Sequence, residues 1–253
     1  MSIRRMTRFA TMLLVVLGFA VISSPAETQA APWTTPGAIA IAPNAAVCDK
    51  ADMRSRVVCA AAMTNRVLAS AGASGVVKKT LIVNDGAAWA WQGKYDLCGY
   101  GVTPMVRLLG VHHCDEATFV NLREDAPLLD VQDKVIALLI HESSHGLQER
   151  AGIRPVNITL RLMAGVADKS ELAPIELGGD CFAGAGMRWL VGNGHRPASA
   201  VQQGRHLFDI MEVGDSGGHG TRAQRYAAYD RGANEGVAAC NQIIGSNVYP
   251  ALS

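Results

Sequence analysis

The run His141-Glu142-Ser143-Ser144-His145 follows Val135, Ile136, Leu138, Leu139 and Ile140, and this combination leaves the chain few folds. A helix apolar nearly all round is buried at the centre of a domain, not laid on its surface. The pattern predicts one helix from Val131 to Arg150, with Asp130 as N-cap and Asp133 placing acid in the first turn. Gly152 fits the residue just past its end, with Pro155 beyond. His141 and His145 lie four apart, so both face one side and can reach one metal ion. Glu142 is turned from His141 by about 100°. It can therefore miss the metal and still reach a water bound there. Two histidines at the inner end of a buried helix need partners, and a metal would supply one.

Zn²⁺ held by such a pair lowers the pKa of its water to around 7, and a neighbouring carboxylate can then take the proton. These are the requirements for zinc-dependent hydrolysis of an amide. A third ligand must come from elsewhere in the chain. The extended motif with a Gly and a third His is absent, because Gln148 and Ala151 occupy those positions. Glu176, in Glu176-Leu177-Gly178-Gly179-Asp180, is the candidate. Pro174 suits the first position of a helix, which puts Glu176 and Asp180 on one face. Glu176 would bind the metal, and Asp180 would accept from the free ring nitrogen of a ligand His and fix its tautomer. The competing reading makes both ordinary surface charges. The flanking Ala173, Ile175, Leu177, Cys181, Phe182 and Ala183 argue for a buried helix instead. Gly178, Gly179, Gly184 and Gly186 would weaken that helix alone, and make sense if it packs closely on another.

Four segments, in order, resemble the bacterial neutral zinc metallopeptidase family. They are Ile140–Gln148, which holds H-E-x-x-H; Glu176–Gly184, similar to that family's E-L-x-A-D-C-F-A-G; His219-Gly220-Thr221-Arg222-Ala223-Gln224-Arg225, similar to its H-G-[ST]-x-x-Q-R; and Cys98-Gly99 with Cys114. Together they span roughly Leu81 to Asn241. The chain departs from the family at Ser144, where Gly is usual, at Gly146, where His is usual, and at Gly179, where Ala is usual. The resemblance implies a thermolysin-like zincin architecture with Glu176 as third ligand. It also implies a role for His219, which a later loop would bring to the oxyanion of the tetrahedral intermediate. Thr221 with Gln224 forms a capping-box pattern, placing His219 just before a helix N-terminus.

The first thirty residues read as a secretory signal: Arg4, Arg5 and Arg8, then an apolar Met12–Ile22 too short to span a bilayer, then Thr28-Gln29-Ala30 at the cleavage position. An uncleaved anchor is the alternative. Cleavage near Ala30 removes three Arg and Glu27 and takes the formal net charge from +1 to −1. Neither value suggests nucleic acid as a partner. Residues 31–46 read as a Pro- and Ala-rich extended leader, and 47–253 as the enzyme domain. Six cysteines in an exported chain favour disulfides over a cysteine metal site. The expected pairs are Cys48–Cys59, Cys98–Cys114 and Cys181–Cys240. Further expected elements are a helix Asp52–Ser70, strands Thr80–Val83 and Thr118–Leu122, a helix Ala198–Met211 and a flexible loop Gly214–Gly220 carrying His219. Trp89, Trp91 and Tyr95 read as packing groups.

The expected fold is therefore α+β, mostly helical, with a small sheet beside the H-E-x-x-H helix whose edge could take an extended peptide. The expected function is a secreted or cell-envelope metallopeptidase. It would hold one Zn²⁺ through His141, His145 and Glu176, use Glu142 as general base, act on peptide or protein substrates, and have no membrane span once mature. The alternative is a non-catalytic protein that keeps the metal for structure or for binding a partner. Glu142 argues against it, since a purely structural site has no use for that residue.

Overall fold

Side-chain caps from Asp52, Asp168 and Thr221 set where three of the described helices begin. In the computed structural model, the described residues are 38–83, 111–209 except 115, 124, 156, 157, 159, 160, 163 and 164, and 218–253. The signal, most of the leader, Cys98, the aromatic residues Trp89, Trp91 and Tyr95, and most of the loop 214–220 lie outside them. So does the expected pair Cys98–Cys114.

The described elements run β1 (Ala38–Ile41), α1 (Met53–Ser70), β2 (Lys79–Val83), β3 (His112–Cys114), β4 (Ala117–Asn121), α2 (Gln132–Arg150), α3 (Lys169–Gly192), α4 (Ala200–Arg205), α5 (Arg222–Glu235) and α6 (Val237–Ile244). The architecture is mostly helical with one small mixed sheet. The sheet has the order β1-β2-β4-β3. β2 and β4 run parallel, and β1 and β3 are antiparallel edges. β1 falls within the range read as an extended leader. β3 packs on α2 and brings the sheet edge to the H-E-x-x-H helix.

α2 is the central helix that its composition predicts, with every residue from Gln132 to Gln148 buried. Gly152 ends it at φ +86°. Asp130 is not its cap. Val131 takes the N-cap position without a side-chain bond, and Asp130 instead pairs with the buried Lys134 at 2.5 Å. A buried ammonium needs a counter-charge, and Asp130 supplies it.

α3 starts earlier than Pro174. Asp168 and Glu171 form a capping box, so the helix begins at Lys169 and Pro174 lies inside it. Being near the first turn, the ring removes only one helical hydrogen bond, that to Ser170. Glu176 and Asp180 still share a face. The expected Ala198–Met211 helix is also revised: α4 stops at Arg205, and a 3₁₀ turn, His206–Asp209, follows. The 3₁₀ turn buries Leu207 and Phe208.

The close packing that the glycines of α3 suggest is found against α5 at Gly184 and against α2 at Gly179 and Gly186. A Cβ on Gly232 would stand 1.8 Å from the Cys181 carbonyl oxygen, and one on Gly184 would stand 2.1 Å from that of Tyr229. Each glycine admits the other helix's backbone. The disulfide Cys181–Cys240 then ties α3 to α6, and Cys48–Cys59 ties the segment before α1 to that helix. Both pairs are as expected from the sequence. Among the described residues no helix is long and apolar enough to cross a membrane.

Candidate metal centre

α2 and α3 bring His141, His145 and Glu176 together, with one ligand atom from each inside a 4.8 Å group. All three side chains are buried. His141 Nε2 lies 3.3 Å and His145 Nε2 3.7 Å from Glu176 Oε2. Ligand atoms around a tetrahedral ion at about 2.1 Å lie about 3.4 Å apart. Glu176 Oε2 is buried without a hydrogen-bond partner. A buried carboxylate oxygen left that way is costly, and a cation between it and the two ring nitrogens removes the cost. The donor set of two imidazoles and one carboxylate can hold a divalent metal ion.

The orientation of His141 comes from α3. Its Nδ1 stands 2.9 Å from Asp180 Oδ1, in a contact that is short but not in line. Arg225, from α5, grips the same carboxylate through two bonds of 2.8 Å. Burial opposes charge on Asp180, but Arg225 and His141 outweigh it and hold its pKa below the ordinary value. An ionised Asp180 only accepts hydrogen bonds. His141 must therefore keep its proton on Nδ1 and turn Nε2 toward Glu176. Gly179 lets α3 come this close, because a Cβ there would stand 2.8 Å from Ser144 Oγ and 3.0 Å from His141 Nδ1.

The charges are those of a cage. Burial again opposes ionisation of Glu176, yet His219, His145 and His141 hold its pKa below the ordinary value. Burial likewise resists charge on His141, but the adjacent carboxylates of Asp180 and Glu176 raise its pKa to about 10. A metal ion entering here must displace that proton. Burial raises Glu142 to about 8, while the backbone N–H of His113 on β3 donates to it. A cation at the centre would draw that pKa back down.

The structure thus gathers each described candidate. His141, His145 and Glu176 form the group, Asp180 backs His141, and Glu142 is buried on the same helix. His219 Nε2 lies 3.6 Å from Glu176 Oε2, with 43% of its side chain exposed. It reaches the group's edge from the loop before α5, where Thr221 and Gln224 make the expected capping box. Sequence reasoning gave no role to Arg225, Gln148 or Tyr249. Arg225 stands in the H-G-T-x-x-Q-R run, and Gln148 lies three residues after His145, so both had a local signal. Tyr249 had none. Against known protein families, curated proteins and solved structures, the chain matches none.

Proposed function

We propose that this chain is an exported zinc-dependent metallopeptidase with a zincin-like fold. The observation that carries the reading is the convergence of His141 Nε2, His145 Nε2 and the unpartnered Glu176 Oε2, one helical position from a buried Glu142. Zinc bound there would act as a Lewis acid, polarising a scissile carbonyl and lowering the pKa of its water to about 7. Glu142 accepts the proton of the attacking water and delivers it to the leaving amine. Asp180 keeps the His141 lone pair directed at the centre. His219, partly exposed at the rim, donates to the oxyanion that develops on the substrate. The two disulfides among the described residues fit an extracellular protein.

Two departures from the neutral zinc metallopeptidase pattern face each other in the structure. Where that family has Gly and Ala, this chain has Ser144 and Gly179, and a Cβ on Gly179 would meet Ser144 Oγ at 2.8 Å. At this contact only α2 carries a side chain, which is what lets α3 approach it.

Glu142→Gln tests the reading. The variant should keep its fold and one equivalent of zinc and lose turnover of peptides, because an amide cannot take the water's proton. Wild type that holds zinc and cleaves nothing in a diverse peptide library would favour a non-catalytic metal protein. Undiminished zinc retention by Glu176→Ala under chelator competition would show that the third ligand lies elsewhere.

A further inference from the structure

His145 has a different support from His141, and it comes from far along the chain. Its Nδ1 lies 2.8 Å from Gln148 Oε1. Gln148 is fully buried. Its Nε2 donates to the Ile175 carbonyl at 2.9 Å and to the Tyr249 hydroxyl at 2.5 Å. Those bonds fix which way the amide faces. A carbonyl oxygen only accepts, so turning the amide over would set oxygen against oxygen at Ile175. Oε1 must therefore face His145, where it too can only accept. The proton of His145 is thereby placed on Nδ1, and the lone pair on Nε2 is directed at Glu176.

The Tyr249 hydroxyl sits in a shaped slot. A Cβ on Gly178, two residues from Glu176, would be 2.9 Å from it. The ring stacks on Phe182 at 5.1 Å. Asn241 clamps the backbone that carries it: Oδ1 accepts from the N–H of Val248 at 2.9 Å and of Tyr249 at 2.8 Å, and Nδ2 donates to the Tyr249 carbonyl at 2.9 Å. Asn241 follows Cys240, which is bonded to Cys181 on α3.

We propose that Gln148 and Tyr249 are positioning residues of the metal centre, selecting the Nδ1–H tautomer of His145 so that its Nε2 meets the ion. The proposal rests on the reading of His141, His145 and Glu176 as metal ligands, but half of its test needs no metal.

The first measurement is the ¹⁵N–¹H long-range correlation spectrum of the metal-free protein, which distinguishes protonated from unprotonated ring nitrogens. Wild-type His145 should show a single tautomer with Nδ1 protonated. Gln148→Leu, which removes the acceptor facing Nδ1, should show a mixture. The second is zinc affinity by chelator competition. Loss of a group that orients a ligand weakens binding by about 10–100-fold, which is expected for Gln148→Leu. Tyr249→Phe keeps the ring on Phe182 and removes only the hydroxyl, so it should fold normally and weaken zinc by a smaller factor. An unchanged single tautomer in Gln148→Leu, or wild-type zinc affinity in a folded Tyr249→Phe, overturns the proposal. Should wild type prove not to bind zinc, the metal reading fails, and the metal-free spectra still decide whether Gln148 sets the tautomer.

Discussion

Adding one methyl group at Gly232 should damage this protein more than most polar substitutions, and the reason is geometric. The new Cβ would lie 1.8 Å from the Cys181 carbonyl oxygen, 2.7 Å from its carbon and 3.0 Å from its Cα. Ordinary contact of carbon with oxygen is about 3.3 Å or more, so α5 and α3 must part by more than an ångström. No side chain can rotate to make room, because every atom met is backbone. Cys181 cannot simply retreat, since its disulfide holds it to α6. Overpacking of this sort costs about 1–3 kcal/mol and occasionally more, and the upper end is expected. Arg225 on α5 would move away from Asp180, so metal affinity should fall as well. Gly192, in the last turn of α3, is the control. A Cβ there meets nothing within 4 Å, and Gly192→Ala should be neutral or stabilise by up to about 1 kcal/mol through reduced freedom of the unfolded chain. Urea unfolding of both variants, each measured with and without zinc, gives the comparison. Equal midpoints for Gly232→Ala and Gly192→Ala would refute the close-contact account of the α3–α5 interface.

Other outcomes follow from named partners. Arg225→Met strands Asp180 as a buried charge without its guanidinium, and should cost about 3–5 kcal/mol by denaturant unfolding, whereas Arg231→Met at the exposed Glu235 pair should cost under about 1 kcal/mol. Removing the Cys181–Cys240 bond by a double Ser substitution opens a loop of sequence separation 59; loop-closure entropy puts the loss at about 4 kcal/mol, and an unchanged melting temperature would contradict it. Asp49 is held below its ordinary pKa chiefly by its hydrogen bond to Arg196. Because the folded pKa is depressed, that stabilisation is present above the unfolded value of about 3.9 and is lost as pH falls through the folded one. Asp49 is 66% exposed, so the contribution is under about 1 kcal/mol. Asp49→Asn should flatten the acid limb of stability below about pH 4 by no more than that, and an identical limb in both proteins would rule the bond out as a contributor.

What could be read from the residues was what local rules govern. An all-round apolar run gave α2, and Gly152 gave its end. Four helix-weakening glycines gave the close approach of α3, although not its partners, α5 at Gly184 and α2 at Gly179 and Gly186. Where local signals competed, the stronger determined the structure. Pro174 suggested a helix start, but Asp168 with Glu171 supplies a capping box one turn and a half upstream, and a proline near the first turn does not prevent it. Asp130 suggested a cap, but a buried Lys134 required its charge. β3, His112–Cys114, has no β-branched residue and is a strand only because β4 pairs with it. Ala38–Ile41 is too short to stand out from an Ala-rich leader, and β2 makes it a strand. The ligands were legible because H-E-x-x-H is a spacing on one helix. Tyr249 was not, because its relation to Gln148 across 101 residues exists only in three dimensions.

That separation bears on the order in which the centre can be assembled. A chain made from its N-terminus presents His141 and His145 first, Glu176 next, and Arg225 and Tyr249 only after 45 and 101 further residues counted from their partners Asp180 and Gln148. Until those arrive, the imidazoles of α2 have neither fixed tautomers nor a balanced carboxylate beside them. Contacts of such high sequence separation are also the slow ones to form. The residues that could hold a metal ion are therefore made well before the partners that orient them.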